Sequence, residues 1–273
     1  MTIQLTSAPA DGAINEAATY VRAGQLEAAL QALMARVRSA PGAADERLFL
    51  FQLLAVMGQW QRAGDQLEVA CQLDAGNALM RAACQRLLQG EAQRDAVFAG
   101  RCLPHVLGAP EPWIAPLLRA LQFEQSGQAA AAAPLRAMAL EIAPAVGGLI
   151  DGQRFAWLCD ADARFGPCLE VIAQGGYGWV PLTQVEQIRF DAPQDLRDLV
   201  WLPAELVWRD GTEAVVFVPA RYPGTTVMGD DLRLSRRTEW NDQEHGLGQR
   251  MLATDSGDHA LLETRVVVFD PPN

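Results

Sequence analysis

Gly24-Gln-Leu-Glu-Ala-Ala29, closed by Pro41, is the first of three copies of one spaced pattern in the front half of this chain. The others are Gly58…Ala63…Ala75 and Gly127…Ala132…Pro144. In every copy the small residue falls five positions after the glycine and the last landmark seventeen. The first two copies are offset by 34 residues, the period of a tetratricopeptide-type helix–turn–helix. The third follows the second by 69 residues, which leaves room for one degenerate copy between them. The glycine permits a tight interhelical turn, the alanine lets two helices approach, and the proline stops the second helix. A stack of such units presents a groove to another polypeptide, so the pattern points to binding before catalysis.

Apolar spacing fills in the helices. Glu16–Ala23 form the first, and Leu26, Ala29, Leu30, Leu33 and Val37 make the stripe of the second. Leu48, Phe51, Leu54 and Ala55, then Leu67, Ala70 and Cys71, repeat the arrangement. Asp74–Arg101 is a long amphipathic stretch, and Trp113–Gln125 with Ala129–Ile142 makes the last pair.

Past Pro144 the sequence changes character. Ala145–Gly152 reads as a linker. Short runs rich in Val, Ile, Phe, Tyr and Trp follow, divided by Gly, Pro and Asp. The predicted strands are Phe155–Cys159, Leu169–Ala173, Tyr177–Pro181, Ile188–Asp191, Glu205–Trp208, Ala214–Val218, Arg233–Trp240, Arg250–Thr254 and Ala260–Phe269. Gly175-Gly176, Asp210-Gly211 and Ser256-Gly257-Asp258 read as hairpin turns. Strands this close together, without helices between them, imply an antiparallel sheet or a partly open barrel. The expected class is therefore α+β: a tetratricopeptide-like helical repeat domain over residues 1–148 and an acidic β-rich domain over 149–273.

The net charge of −11 is unevenly placed. Residues 1–148 carry 11 Arg against 13 acids, and residues 149–273 carry 11 against 20. An acidic surface repels phosphate backbones and anionic lipid, which argues against nucleic acid and membrane partners. Every basic side chain outside the three histidines is Arg. No apolar run approaches the roughly 18–20 residues of a membrane span. Met1–Ala13 lacks the basic-then-apolar order of a secretory signal. Five cysteines without C-x-x-C spacing suit buried thiols in a reducing compartment. The expectation is a cytoplasmic protein.

Several blocks carry a family resemblance. They are Leu50-Phe-Gln-Leu-Leu54 with Gly58-Gln-Trp-Gln-Arg-Ala63, Val97-Phe-Ala-Gly-Arg101 and Asp160-Ala-Asp-Ala-Arg-Phe-Gly-Pro167. Asp195-Leu-Arg-Asp-Leu-Val-Trp201, Arg221-Tyr-Pro-Gly224, Thr238-Glu-Trp240 and Gly246-Leu-Gly-Gln-Arg-Met-Leu-Ala-Thr-Asp255 continue it. In this order they resemble the ImpE (SciE/TagJ) family from about Leu26 to Arg265. Alanine at position 75 replaces the usual proline, which weakens a helix stop and touches no function. The resemblance implies a non-enzymatic accessory protein of the bacterial type VI secretion system. It implies two partners: the N-terminal segment of the small contractile-sheath subunit, and the AAA+ ATPase that recycles contracted sheaths.

The chemistry-bearing residues admit plainer readings. His105, His245 and His259 are scattered, without a metal-ligand spacing. Asp160 and Asp162 precede Arg164 directly, which favours turn capping and Arg pairing over a cation site. Asp195-Leu-Arg-Asp198 with Arg221 and Arg237 reads as an ion-pair network, with a short helical turn as an option. Trp60 belongs between helices, while Trp179, Trp201, Trp208 and Trp240 are expected in the β core, one of them exposed in the interface alternative. No cofactor or metal is called for. If Gly58 marks a turn, the helix before it turns Asp45, Leu48, Gln52 and Val56 to the concave side. The preceding unit adds Ile14, Ala18 and Arg22. Leu48, Val56 and Ile14 would take the apolar face of a partner helix, with Asp45, Gln52 and Arg22 fixing its register. Two other classes stand beside the adaptor, which is expected to be a monomer. One is an enzyme with a site built from Asp160, Asp162, Asp195 and Arg197; the other is a scaffold whose β domain self-associates.

Overall fold

The computed structural model describes residues 12–74, 76 and 78–271. Most of Met1–Ala13, Ala75 of the second repeat copy and the side chain of Ile14 lie outside the described residues. The chain starts as helices: α1 (Gly12–Arg22), α2 (Leu26–Ser39), α3 (Ala44–Val56), α4 (Trp60–Leu73) and α5 (Ala78–Phe98). A short strand β1 (His105–Val106) intervenes before α6 (Ile114–Gln125) and α7 (Ala129–Ile142). The pairs α1–α2, α3–α4 and α6–α7 pack as hairpins.

The repeated glycines end the first helix of each hairpin in the same way. Gly24, Gly58 and Gly127 stand at φ +69°, +71° and +76°, the left-handed region that a side chain disfavours. Their amides donate to Val21, Ala55 and Glu124, at 3.0, 3.0 and 2.9 Å. The next amides, of Gln25, Gln59 and Gln128, reach back to Tyr20, Leu54 and Phe123 at 2.9, 2.8 and 2.8 Å. This double bond satisfies the carbonyls a helix end leaves free. The small residue of each copy is fully enclosed: Ala29, Ala63 and Ala132 are 0%, 0% and 1% exposed. The space between the second and third copies is not a further hairpin. The single long helix α5 and β1 fill it, because Ala78–Phe98 contains no turn of that kind.

The rest is mostly strand: β2 (Gly148–Ile150), β3 (Gln153–Phe155), β4 (Leu158–Asp160), β5 (Cys168–Ala173), β6 (Gly176–Pro181), β7 (Val185–Phe190), β8 (Trp201–Trp208) and β9 (Glu213–Pro219). After the one-turn helix α8 (Asp230–Arg233) come β10 (Thr238–Trp240), β11 (Gly246–Gly248), β12 (Met251–Thr254), β13 (Gly257–Ala260) and β14 (Val266–Phe269). Nine strands form one open sheet in the order β1-β6-β5-β9-β8-β7-β14-β2-β3, antiparallel except for the parallel β1–β6 pair. β13-β12-β4 and β10-β11 make smaller sheets. Alternation decides the buried face. Leu202, Ala204 and Leu206 of β8 point inward with Val216 and Val218 of β9, and Glu205 and Val215 point out.

Four sequence expectations are corrected. The linker over Ala145–Gly152 contains β2, which pairs with β14. Phe155–Cys159 is split, because β3 joins the large sheet while β4 crosses to β12. Arg233–Trp240 is broken by α8 and by Ser235 at φ +55°, whose hydroxyl bonds Leu199 O at 2.8 Å. Ala260–Phe269 breaks into β13, a turn and β14.

The helices and strands share one continuous hydrophobic core that includes Phe51, Leu54, Trp113, Phe165, Trp179, Trp201 and Tyr222. Each fully buried large apolar side chain in it contributes roughly 1.5–3 kcal/mol. α5 lies on β5 and β6, and the 3-10 turn Leu196–Leu199 lies on α3.

Candidate functional site

The surface expected to hold a partner, along α3, is largely taken by the chain itself. Val56 is fully buried. Gln52 is half-buried, and its Oε1 accepts from the amide of Arg197 at 3.4 Å. Trp60 packs on Trp201 with ring centroids 5.8 Å apart. The guanidinium of Arg221 sits at the C-terminal end of α3, donating to Val56 O at 2.7 Å and to Arg233 O at 2.6 Å. A cation there satisfies free carbonyls and meets the negative end of the helix dipole. Val56 and Gln52 therefore serve the fold: residues 195–201 and Arg221 occupy the side of α3 that a partner was expected to use. Leu48 is half-buried against the core, whereas Asp45 and Arg22 are exposed. Ile14 belongs to the backbone of α1.

Behind this junction lies a buried cluster of charges drawn from both halves. Arg94 of α5 grips Glu170 of β5 with two bonds of 2.9 and 2.8 Å and also bonds Arg221 O at 2.8 Å. Arg250 spans Asp160 and Glu170 and lies over the Phe165 ring at 4.6 Å. Tyr222 donates to Asp160 at 2.9 Å, Tyr177 donates to Glu170, and Trp201 donates to Glu91 at 2.9 Å. Asp162 holds Arg164 and accepts from the amide of Gly246 at 2.9 Å. Four arginines (94, 164, 221, 250) thus face four acids (91, 160, 162, 170), all buried. Burial pushes the Asp160 carboxyl up to about 6, with Asp162 adding to the effect and Arg250 opposing it. Burial lowers the Arg221 guanidinium to about 10, with the Glu91 carboxylate opposing the shift and the cations of Arg94 and Arg233 adding to it. Removing one member of such a network leaves an uncompensated charge in low dielectric, so it ties the halves together.

The alternative enzymatic set does not assemble. Asp160 and Asp162 belong to this cluster, and the amide of Asp162 bonds Asp160 at 2.8 Å. Asp195 and Asp198 form a capping box on the turn Leu196–Leu199, with Arg197 paired to Asp195 at 2.9 Å. Among the described residues no hydrogen bond or ion pair joins the two sets. Arg237 pairs with Glu239 at 2.7 Å, away from both. Trp179 and Trp201 are core residues, but Trp240 is 45% exposed and leans on Tyr222.

A cleft of about 510 Å³ opens between the α6–α7 turn and the β10–β11 turn. Glu124, Gln125, Ala129, Ala133 and Arg136 form one wall, and Gln243 and His245 the other. Phe98 and Arg164 close its back, beside Pro223 and Gly224. Glu124 pairs with Arg136, and His245 Nε2 lies 2.6 Å from Glu124 Oε1. In the sequence His245 stands isolated, because its partner is 121 residues away in the chain. No local spacing carries that contact.

Helical hairpins joined by buried ion pairs to an antiparallel sheet, with an open cleft at the last hairpin, define an α+β protein. The chain belongs to the ImpE family, also known by its member TagJ. The family described as "ImpE protein" matches residues 152–268. The chain is 50% identical over 252 residues to the type VI secretion system accessory component TagJ of Pseudomonas aeruginosa, covering 92% of this chain and 90% of that protein. The crystal structure of protein VPA1032 from Vibrio parahaemolyticus has the same fold, with a TM-score of 0.85 at 22% identity, over 94% of this chain and 98% of that one. Among the described residues no helix is long and apolar enough to cross a membrane.

Proposed function

We propose that this chain is a non-enzymatic accessory protein of a type VI secretion system. It acts in the cytoplasm as a monomeric adaptor that binds the N-terminal segment of the small contractile-sheath subunit and links it to the AAA+ recycling ATPase. The observation that carries the reading is the 50% identity, over nearly the whole length of both chains, to an accessory component of that machinery. The acids that would have supplied a catalytic site support it as well, being spent on buried arginines and on a capping box. Residues 1–148 would supply the peptide-binding surface and residues 149–273 the acidic one. Arg22, Asp45 and Leu48 are the part of the anticipated surface still open to a partner.

The test is a pulldown by the full chain of the small sheath subunit, with and without its N-terminal segment, and of the ATPase. Capture of the intact subunit and loss of capture on truncation is the expected result. Failure to retain either partner removes the adaptor role.

A further inference from the structure

One segment of the β-rich half, Arg221 to Arg236, engages the turns of both front hairpins in the same way. Arg221 donates to Val56 O at the end of α3, and Thr226 lies against Gly58 of that turn. At the other end of the segment Arg236 treats α1 as Arg221 treats α3. Its Nη2 donates to Val21 O at 2.9 Å and to Arg22 O at 2.7 Å. Asp230 takes the opposite pole of the same turn. Gln25, the N-cap of α2, makes no side-chain capping bond, and the amide of Leu26 donates instead to Asp230 Oδ2 at 2.9 Å. A cation thus meets the C-terminal end of α1 and an anion the N-terminal end of α2, each at the pole its charge complements.

The segment is braced between these contacts. Arg221 donates to Arg233 O at 2.6 Å, and Arg233 Nε donates to Thr226 O at 2.8 Å. The Ser235 hydroxyl bonds Leu199 O, and the Ser235 carbonyl accepts from Gln249 Nε2 at 2.9 Å. The first hairpin needs such a hold more than the second does. α3–α4 packs between α2 and α5, whereas α1–α2 has α3 as its main helical neighbour. Each unit of a helical stack leans on its neighbours, and an end unit has lost one of them. At the third turn the pattern stops. A Cβ on Gly127 would meet nothing within 4 Å. Among the described residues no hydrogen bond joins residues 221–236 to the last hairpin.

We infer that Arg221 to Arg236 is a strap that fixes the first helical hairpin beside the second, with Arg236 and Asp230 as its positioning residues. The strap sets how α1, which carries Arg22, stands against α3, which carries Asp45 and Leu48. In that last step the inference rests on the adaptor reading, since those three residues are the surface left open to a partner.

The test reads amide exchange residue by residue in the full-length protein. The same variants are titrated with a fluorescent peptide carrying the N-terminal segment of the small sheath subunit. Arg236→Gln leaves Asp230 in place, so the Leu26 amide keeps its acceptor unless the strap lifts. The expected result is roughly tenfold faster exchange over residues 20–27, with α6 and α7 unchanged, and several-fold weaker peptide binding. Arg236→Lys, which keeps a cationic donor, should return both readouts toward the wild type. Arg237→Gln, whose side chain pairs with Glu239, should leave both alone. Unchanged exchange at Leu26 in Arg236→Gln, or a rise spread evenly over the chain, overturns the strap. Local loosening with full peptide affinity overturns its part in presenting the surface. A wild-type protein that ignores the peptide, with Leu26 loosened in Arg236→Gln, keeps the strap and removes the adaptor.

Discussion

The turn at Gly58 and the turn at Gly127 are built alike and end up in opposite surroundings. Each glycine is left-handed, and each helix end closes with the same two backbone bonds. Yet Gly58 lies under Thr226, and the helix before it is capped by Arg221 and covered by Leu196–Leu199. Gly127 faces open space beside a cleft. A repeat pattern therefore reports how a hairpin is made and says nothing of what covers it. The front hairpins are spent on holding the sheet, and the rear one keeps a free flank.

The largest effect that would sharpen this contrast lies in the charge cluster fastening the front half to the sheet. Arg250→Met leaves Asp160 and Glu170 buried without their shared cation. It should lower stability by about 3–5 kcal/mol, read as a shift in the denaturant midpoint. The deficit should narrow as pH falls toward about 6, because without Arg250 the Asp160 carboxyl, already raised to about 6 by burial, takes up its proton at a higher pH in the variant than in the wild type. A loss under 1 kcal/mol would mean that this buried network contributes little to the stability of the fold.

The turn glycines provide a smaller and more direct comparison. A side chain at either position costs about 1–2 kcal/mol for the left-handed backbone alone. At Gly58 an added Cβ would also stand 2.5 Å from Thr226, whereas at Gly127 it would meet nothing within 4 Å. Gly58→Ala should therefore destabilise distinctly more than Gly127→Ala. Thermal melts of the two variants check it, and equal losses would erase the difference between the hairpins.

Much of the fold was legible because backbone requirements write themselves locally. The glycine, alanine and proline spacing marked three hairpin turns, and Asp210-Gly211 marked the β8–β9 turn that follows Trp208. The burial of α3 is also written in its residues. Leu50, Phe51, Leu53, Leu54, Ala55 and Val56 are all buried, and a helix whose C-terminal half is apolar on nearly every side is covered there. Assigning Val56 and Gln52 to a partner ignored that signal. What was not legible depends on contacts far apart in sequence. Arg221 reaches Val56 across 165 positions, and His245 meets Glu124 only because two turns converge. Splits such as β3 from β4 share that cause, since only the tertiary arrangement decides which sheet receives each strand.

The smallest expected effect is an absence of one, and it bears on the free flank. If the outer side of α7 has no covering layer in the isolated protein, polar substitutions there remove no packing. Met138→Gln and Ile142→Gln, at residues 45% and 51% exposed, should shift stability by no more than about 0.5 kcal/mol either way. Leu54→Gln in α3, where the side chain is 1% exposed, should cost several-fold more, since it buries an amide among apolar neighbours. Denaturant melts of the three variants, at one protein concentration and again tenfold diluted, separate the cases. A large, concentration-dependent loss at Met138 would mean that a second chain covers α7. A large loss independent of concentration would mean that the side chain is packed within its own chain. Near-neutral behaviour at both dilutions would show that Met138 and Ile142 are not packed by the fold.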